Sequence, residues 1–424
     1  MNDKLKRLQV TTPQGISGTI DKESRYVFNY TATERACEVA LGMPIRAESY
    51  GSTVLHPIFA MNRPEGYLLD RMRHRFGKLM QLDDMRLLAL TGENQIGRLR
   101  YEVPGTGVKR SKASTVGLST VLETDASTDL FEYLVDTYLQ SGISGIQPKV
   151  MIPDADKDST GLVERATLIA PDLIVKASGE GYPYLAQNEF LCMEAARRAG
   201  ISVPQFWLSQ SGALFVMGRF DMAEERQLGF EDMAVLMNKT AEEKYLGAYE
   251  HIAKVINAYC GPNAPDSCRR FFDYLALTVM VRNGDAHLKN FGLLYRDPHT
   301  SAPELSPLYD VVTTTVYKYQ NRYGVELTDR ELALKLAKSR RYPGRKTLLD
   351  FGRNVCGVAN PEQALERIGD AMSDTLQADF PGIDPKLLKA LRKEWDGGRL
   401  AMAPDHVYQQ AAINHLSGSP PESI

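Results

Sequence analysis

The sequence predicts an α+β fold: a front α/β module, then a strand-rich lobe, then a larger, mainly helical lobe. Three observations point to it. Strand-like apolar runs at 168–177 and 214–220 flank a run of helical spacing at 188–199. From about residue 222 onward, apolar residues recur mostly at helical spacing. Between one such helix and an apolar run ending at Tyr295 stand Asp285 and Asn290, five positions apart.

The elements follow in order. In the front module, 15–20 and 24–30 read as strands, the second with Tyr26, Phe28 and Tyr30 alternating. Helices are expected at 68–78 and 83–90, and a strand at 95–101. Residues 104–127 are rich in Gly, Ser, Thr and Lys, a linker composition. A helix is expected at 130–140, then a glycine-bearing turn at 141–151. The strand at 168–177 carries one lysine, Lys176. The helix at 188–199 runs into Gly200, a residue suited to the end of a helix. Further helices are expected at 248–259, 269–282, 361–373 and 385–395. The expected division is 1–125, 126–221 and 222–416, with a disordered tail at 417–424.

Composition narrows the function classes. A chain of 424 residues exceeds one small core. Its apolar fraction of 43% and charged fraction of 24% are those of a soluble globular protein. A net charge of −3 gives no whole-molecule attraction to nucleic acid or membrane. Five scattered cysteines, without a CxxC pair, read as reduced thiols. The start of the chain lacks the apolar stretch of a secretory signal, and no run approaches the length of a membrane span. A cytoplasmic protein is expected.

The spacing Asp285-x-x-x-x-Asn290 is that of a kinase catalytic loop, where the Asp accepts a hydroxyl proton and the Asn holds magnesium. Ser306-Pro307-Leu308-Tyr309-Asp310 adds a carboxylate beyond the strand. Phosphoryl transfer needs positioning and charge neutralisation. Ser141-Gly142-Ile143-Ser144-Gly145 supplies a loop whose backbone N–H groups can approach phosphates, though Gly-Ser turns are common in ordinary loops. Lys176, inside an apolar strand, requires a partner or a ligand unless it lies at an exposed edge; Lys149 is a second candidate cation. Glu189 can pair with Lys176 or stand as a solvated first-turn acid. Asn290 and Asp310 offer oxygen atoms suited to Mg²⁺. Lys289 can neutralise charge on the transferred group or face solvent. His287 lacks metal-ligand companions and is read as hydrogen-bonding within the loop. Residues 335–346 hold six basic side chains and no acid, and Arg71, Arg73, Arg75 and Lys78 form a similar cluster; both default to solvated faces.

Together the run Asp285 to Asn290, the segment Pro307 to Asp310, the loop 143–149 and Gly218-Arg219-Phe220-Asp221 resemble the HipA serine/threonine kinases, toxins of type II toxin–antitoxin systems. Segments 25–30, 43–46 and 94–98 are similar to that family's N-terminal subdomain. The resemblance spans about 10–400. It implies a bilobal protein-kinase-like fold related to phosphoinositide kinases, and phosphorylation of a protein Ser or Thr with ATP and Mg²⁺. It further implies an aminoacyl-tRNA synthetase target, arrest of translation and growth, and a HipB-type helix-turn-helix antitoxin through which DNA is met only indirectly. By motif position, Asp285 is the base, with Lys289 beside it in the catalytic set. Asn290 and Asp310 are metal ligands. Ser144, Gly145, Lys149, Lys176 and His287 belong to the nucleotide site, and Met217, Gly218 and Phe220 line its adenine side. One departure concerns autophosphorylation. The family often has a serine two positions before Ser144, where this chain has Gly142, leaving Ser144 as the candidate. A phosphate there would put about two negative charges where those of ATP must sit. Two other readings compete: a catalytically weak, antitoxin-bound transcriptional co-regulator, and a small-molecule or lipid kinase.

Overall fold

The computed structural model describes residues 5–64, 69–70, 72–74, 81–92, 94–105, 118–123, 141–142, 149–152, 173–178, 182–223, 226–320 and 323–404. The helix expected at 130–140, the loop residues Ser144 and Gly145, and the tail lie outside them.

Strands β1 (Arg7–Thr12), β2 (Gly15–Lys22), β3 (Tyr26–Tyr30) and β4 (Tyr50–Ser52) form an antiparallel sheet that β5 (Arg100–Glu102) completes beside β1. Alternation decides its faces. Leu8, Val10, Ile20, Phe28 and Tyr101 turn inward onto Met85 and Leu88 of helix α1 (Asp84–Thr91). The Asp83 carboxylate caps α1 by accepting the Arg86 N–H at 2.9 Å. β1 was not among the expected strands, because only Leu8 and Val10 mark its pattern. The strand expected at 95–101 is interrupted at Gly97 (φ +83°), and part of the expected linker, Leu118–Glu123, is helical.

A second antiparallel sheet contains β6 (Lys149–Ile152), β7 (Leu173–Ala177), β8 (Phe206–Leu208) and β9 (Leu214–Gly218), in the order β8-β9-β7-β6. Both β7 and β9 are buried on both faces, which explains their unbroken apolar runs. Leu173, Val175, Leu214 and Val216 pack toward the front module, with Met72, Leu87 and Val121. Ile174, Phe215 and Met217 face Ala186 and Met193 of helix α2 (Leu185–Arg198). Lys176 is paired with Phe215, so it shares that second face. Gly200, at φ +68°, lies just past the α2 C-cap Ala199.

The third part is mainly helical, around α3 (Tyr249–Tyr259) and α4 (Ala264–Met280). Short strands interrupt it. β10 (Gly229–Asp232), β11 (Gly292–Tyr295) and β12 (Glu304–Leu305) make a small sheet. Two hairpins follow, β13 (Tyr319–Gln320) with β14 (Glu326–Leu327), and β15 (Glu331–Leu336) with β16 (Ser339–Arg341). Such short strands give too few residues to display a period of two. Helices α5 (Arg345–Asn354), α6 (Pro361–Gln377) and α7 (Pro385–Ala401) close the lobe. Trp395 is fully buried and its indole N–H donates to the Thr313 hydroxyl at 2.8 Å. All five cysteines are free and buried. No helix among the described residues is long and apolar enough to cross a membrane.

Candidate active site

The site forms where the second sheet, α2 and the loop after α4 meet. α4 stops at Met280, and the chain turns through Arg282, held at φ +59°. The Asn283 side-chain oxygen then accepts the Asp285 N–H at 2.9 Å, fixing the local turn. Gly284 donates its N–H to the Thr314 hydroxyl at 2.8 Å, and a Cβ there would lie 2.6 Å from the Glu331 carbonyl oxygen. Only glycine fits between those strands of chain. The Tyr249 hydroxyl donates to the Ala286 carbonyl at 2.9 Å, so α3 braces the loop from below.

Inside the loop, the His287 N–H donates to the Asn290 side-chain oxygen at 3.0 Å, and the Asn290 N–H returns to the His287 carbonyl at the same distance. This places the Asn290 amide nitrogen 3.1 Å from Asp310 Oδ2. The other Asp310 oxygen accepts from Lys176 Nζ at 2.5 Å, and Lys176 Nζ also donates to Glu189 Oε1 at 2.5 Å. Asp310 itself is at φ +60°, a left-handed conformation that a non-glycine residue keeps only where its surroundings enforce it. Two neighbours do so: the Tyr309 hydroxyl donates to the Lys289 carbonyl at 2.7 Å, and Asn188 clamps Thr313 by bonds to both its N–H and its carbonyl.

Four side chains distant in sequence, Lys176, Glu189, Asn290 and Asp310, therefore make one continuous chain of polar contacts. Lys176 is 2% exposed, Glu189 is fully buried, and the Asp310 side chain is 28% exposed. Burial opposes the charge on Lys176, but Asp310 and Glu189 outweigh it and keep the ammonium protonated. The alternative reading of Glu189 as a solvated first-turn acid is thus excluded. Asp285, in the same loop as Asn290, is exposed and accepts a hydrogen bond from Tyr245 Oη at 2.8 Å. His287 is buried, its ring edge-on to Tyr245 at 5.1 Å between centroids. Burial, helped by the nearby Lys244 and Lys289 ammonium groups, lowers its pKa to about 3, so the imidazole is neutral at neutral pH.

The other sequence candidates sit as follows. Lys149 pairs with Lys176 across β6 and β7 in backbone register. Met217 shares the sheet face of Lys176 and is packed against Ile174 and Met193. The Gly218 N–H donates to the Gln205 carbonyl at 2.8 Å, and Phe220 stacks on Tyr309 with centroids 5.0 Å apart. Arg219 and Asp221 form a fully buried ion pair. Asp221 also accepts the Gly97 N–H at 2.7 Å, and Arg219 donates to the Gln95 carbonyl at 2.8 Å. The Gly218–Asp221 segment therefore docks the front module onto the second sheet. Asn188, Tyr245, Tyr309 and Thr314 were missed by sequence reasoning. Their bonds are all long-range, and only Asn188, next to Glu189, and Tyr309, next to Asp310, stood beside a marked residue.

Asn290 and Asp310 present the oxygen atoms a hard cation prefers. Among the described residues no three His, Cys, Asp or Glu side chains converge on one point. The donor set thus fits an ion such as Mg²⁺ that takes one or two protein ligands and completes its shell with phosphate oxygens and water.

Comparison with known proteins gives the family and the fold. The family model for the HipA-like C-terminal domain matches residues 141–380, and that for the HipA N-terminal domain matches 8–102. A curated protein of Sinorhizobium fredii named "Putative kinase Y4dM" is 30% identical over 194 residues, 42% of this chain and 46% of its own length. A Haemophilus influenzae protein of the same description is 30% identical over 190 residues, 41% of this chain and 53% of its own. The chain thus spans about half the length of the curated relatives it matches. The solved HipA chain in the Shewanella oneidensis MR-1 toxin–antitoxin complex of HipA, HipB and operator DNA superposes with a TM-score of 0.68 at 16% identity, covering 93% of this chain and 96% of that one. That likeness shows a shared bilobal, kinase-like α+β fold. With matched regions on both the front sheet and the lobes that hold Lys176, Asp285 and Asp310, this chain belongs to the HipA family.

Proposed function

We propose that this protein is a HipA-type kinase that moves the γ-phosphoryl group of ATP to a serine or threonine of a protein. The observation that carries the reading is the contact chain Glu189–Lys176–Asp310–Asn290, with Asp285 in the same loop as Asn290. In this reading Asp285 takes the proton of the substrate hydroxyl, whose oxygen forms the new bond to phosphorus as the bond to the β-phosphate oxygen breaks. Glu189 holds Lys176 in place, and Lys176 exchanges its contact with Asp310 for the ATP phosphates. Asn290 and Asp310 turn oxygen atoms to Mg²⁺, which when bound neutralises charge on those phosphates. Lys289 adds a cation at the rim, Ser144, Gly145 and Lys149 cover the phosphates, and Met217, Gly218 and Phe220 border the base. His287, neutral and buried, shapes the loop of the nucleotide site. Phosphate on Ser144 would compete with ATP for that cover.

The proposed target class is an aminoacyl-tRNA synthetase, with inhibition of translation and growth as the outcome. A HipB-like antitoxin is the proposed partner, by likeness to the solved complex. Division into units 1–125, 126–221 and 222–416, in a cytoplasmic protein, completes the proposal.

The test is transfer of labelled γ-phosphate, with Mg²⁺, to the protein itself and to lysate proteins. Asp285→Asn is expected to lower transfer by about 10²–10⁴-fold, the usual contribution of a general base. Asp310→Asn should abolish it. Undiminished labelling by either variant would rule out these roles. A co-regulator without catalysis is favoured by one observation, that both Asp310 oxygens are already engaged within the protein. ATP binding without turnover would select it.

A further inference from the structure

The basic run at 335–346 is not accounted for by phosphoryl transfer. In the fold it forms the β15–β16 hairpin and the start of α5, and Lys335, Lys338, Arg340, Arg341 and Lys346 are all exposed. Its tip is a two-residue turn, Ala337 and Lys338, with both residues at positive φ (+48° and +69°). The hairpin is joined to the site by consecutive contacts. The Lys335 N–H donates to the Gly247 carbonyl at 3.2 Å. Gly247 follows Tyr245 and Leu246, and Tyr245 touches Asp285. The base of β15 meets Gly284, one residue before Asp285.

Exposed aromatic and aliphatic side chains lie along the segments that adjoin Tyr245 and Tyr317. Tyr245 and Leu246 are exposed, and Tyr182 packs edge-on to Tyr317 at 5.3 Å between centroids. Two residues past Tyr317 begins the β13–β14 hairpin, both of whose strands are exposed, with Tyr319 51% and Val325 52% accessible. The acids of these hairpins and Glu250 of α3 each have a partner, while Glu326, Asp329 and Glu331 stay exposed. Glu326 pairs with Lys318 at 2.9 Å, Glu331 lies 3.7 Å from Arg340, the Asp329 carboxylate accepts the Glu331 N–H, and Glu250 accepts the Ala337 N–H.

We propose that these two hairpins form the substrate-docking face, and that its occupant is an acidic, partly apolar segment of a protein carrying the reactive hydroxyl. This deepens, and rests on, the kinase reading of Asp285. Charge complementarity selects the occupant: five exposed cations in the 335–346 run, with no acid among them, give an excess of positive charge that steers acidic side chains. Exposed tyrosines and Val325 suit apolar side chains of an extended peptide. A segment seated here lies next to Tyr245 and Gly284, the neighbours of the exposed Asp285.

The test uses the full chain and two 15-residue peptides, each with one serine and one leucine, one flanked by Asp and Glu and one by Lys. Fluorescence anisotropy reads binding without turnover, and γ-phosphate transfer is read separately. The acidic peptide should bind at least about tenfold more tightly than the basic one, and less tightly as salt is raised. Lys338→Glu with Arg341→Glu should weaken it about tenfold while ATP binding stays unchanged. Leu327→Ser, which keeps the charges, should weaken it less. Equal affinity for both peptides, or no loss in the charge-reversed variant, overturns the docking face. So does a single-stranded oligonucleotide that binds this face when the acidic peptide does not. Binding of the acidic peptide without any transfer overturns the kinase reading and retains the face; transfer without preference for acidic flanks does the reverse.

Discussion

Replacing Lys176 by Met tests the centre of the site through stability, independently of any activity. The side chain is 2% exposed and its ammonium lies 2.5 Å from both Glu189 and Asp310. Met fills much of the same volume, so the perturbation is chiefly the lost charge. Asp310, 28% exposed on its side chain, can regain water. Glu189 is fully buried and cannot. Removing one partner of a buried pair costs about 3–5 kcal/mol. Protonation sets a ceiling, since Glu189 can become neutral instead. From an ordinary value near 4.3, that costs about 3.7 kcal/mol at pH 7 and about 1 kcal/mol at pH 5. The sign follows from linkage. In the variant, the folded protein holds a proton on Glu189 that the unfolded chain releases above about pH 4.3. The deficit against wild type is therefore full at neutral pH and shrinks as pH falls. Urea denaturation of wild type, Lys176→Met and Lys176→Met/Glu189→Gln at pH 5 and 7 reads all of this. The double variant should recover most of the loss at pH 7. A deficit that ignores pH and is not relieved by Glu189→Gln would refute the buried triad.

Other outcomes follow from the same structure. Glu231 is buried where the front module meets the third lobe, accepting the Leu41 N–H at 2.7 Å and the Tyr295 hydroxyl at 2.6 Å, and burial raises its pKa to about 7. A raised acid withholds stability as pH climbs from about 4.5 through 7, on the order of 3 kcal/mol when fully ionised. Glu231→Gln, which keeps an acceptor, should therefore gain on wild type at pH 8 and not at pH 4; a gain independent of pH would contradict the burial argument. Gly398→Ala would put a Cβ 1.9 Å from the Met280 carbonyl oxygen, forcing α7 off α4. A loss of about 3 kcal/mol and a Tm about 6 °C lower are expected by calorimetry, and an unchanged Tm would show the helices to be farther apart. Asp285→Asn should spare the urea midpoint while lowering phosphoryl transfer, and a parallel loss of both would make Asp285 structural.

Much of the site was legible in the string because its chemistry is local there. Asp285 and Asn290 share one loop, which the bond from the His287 N–H to the Asn290 side chain closes within five positions. Lys176 announced itself as a charge in an apolar strand, and burial of β7 on both faces bears out the need for partners. The order of helices could be read because each of α3, α4, α6 and α7 repeats its apolar stripe over 11 to 17 residues. What remained hidden depends on residues far apart in the chain. Tyr245 reaches Asp285 across 40 positions and Lys176 reaches Asp310 across 134, distances no periodicity encodes. Strand β10 pairs with β11 60 or more positions away, and the two hairpins are built of strands mostly too short to carry a pattern alone. The basic run at 335–346 could be read only as a charged face. Its place beside Gly247 and the loop that holds Asp285 was decided by tertiary contacts, because charge patterning fixes what a segment tolerates and only packing determines what it faces.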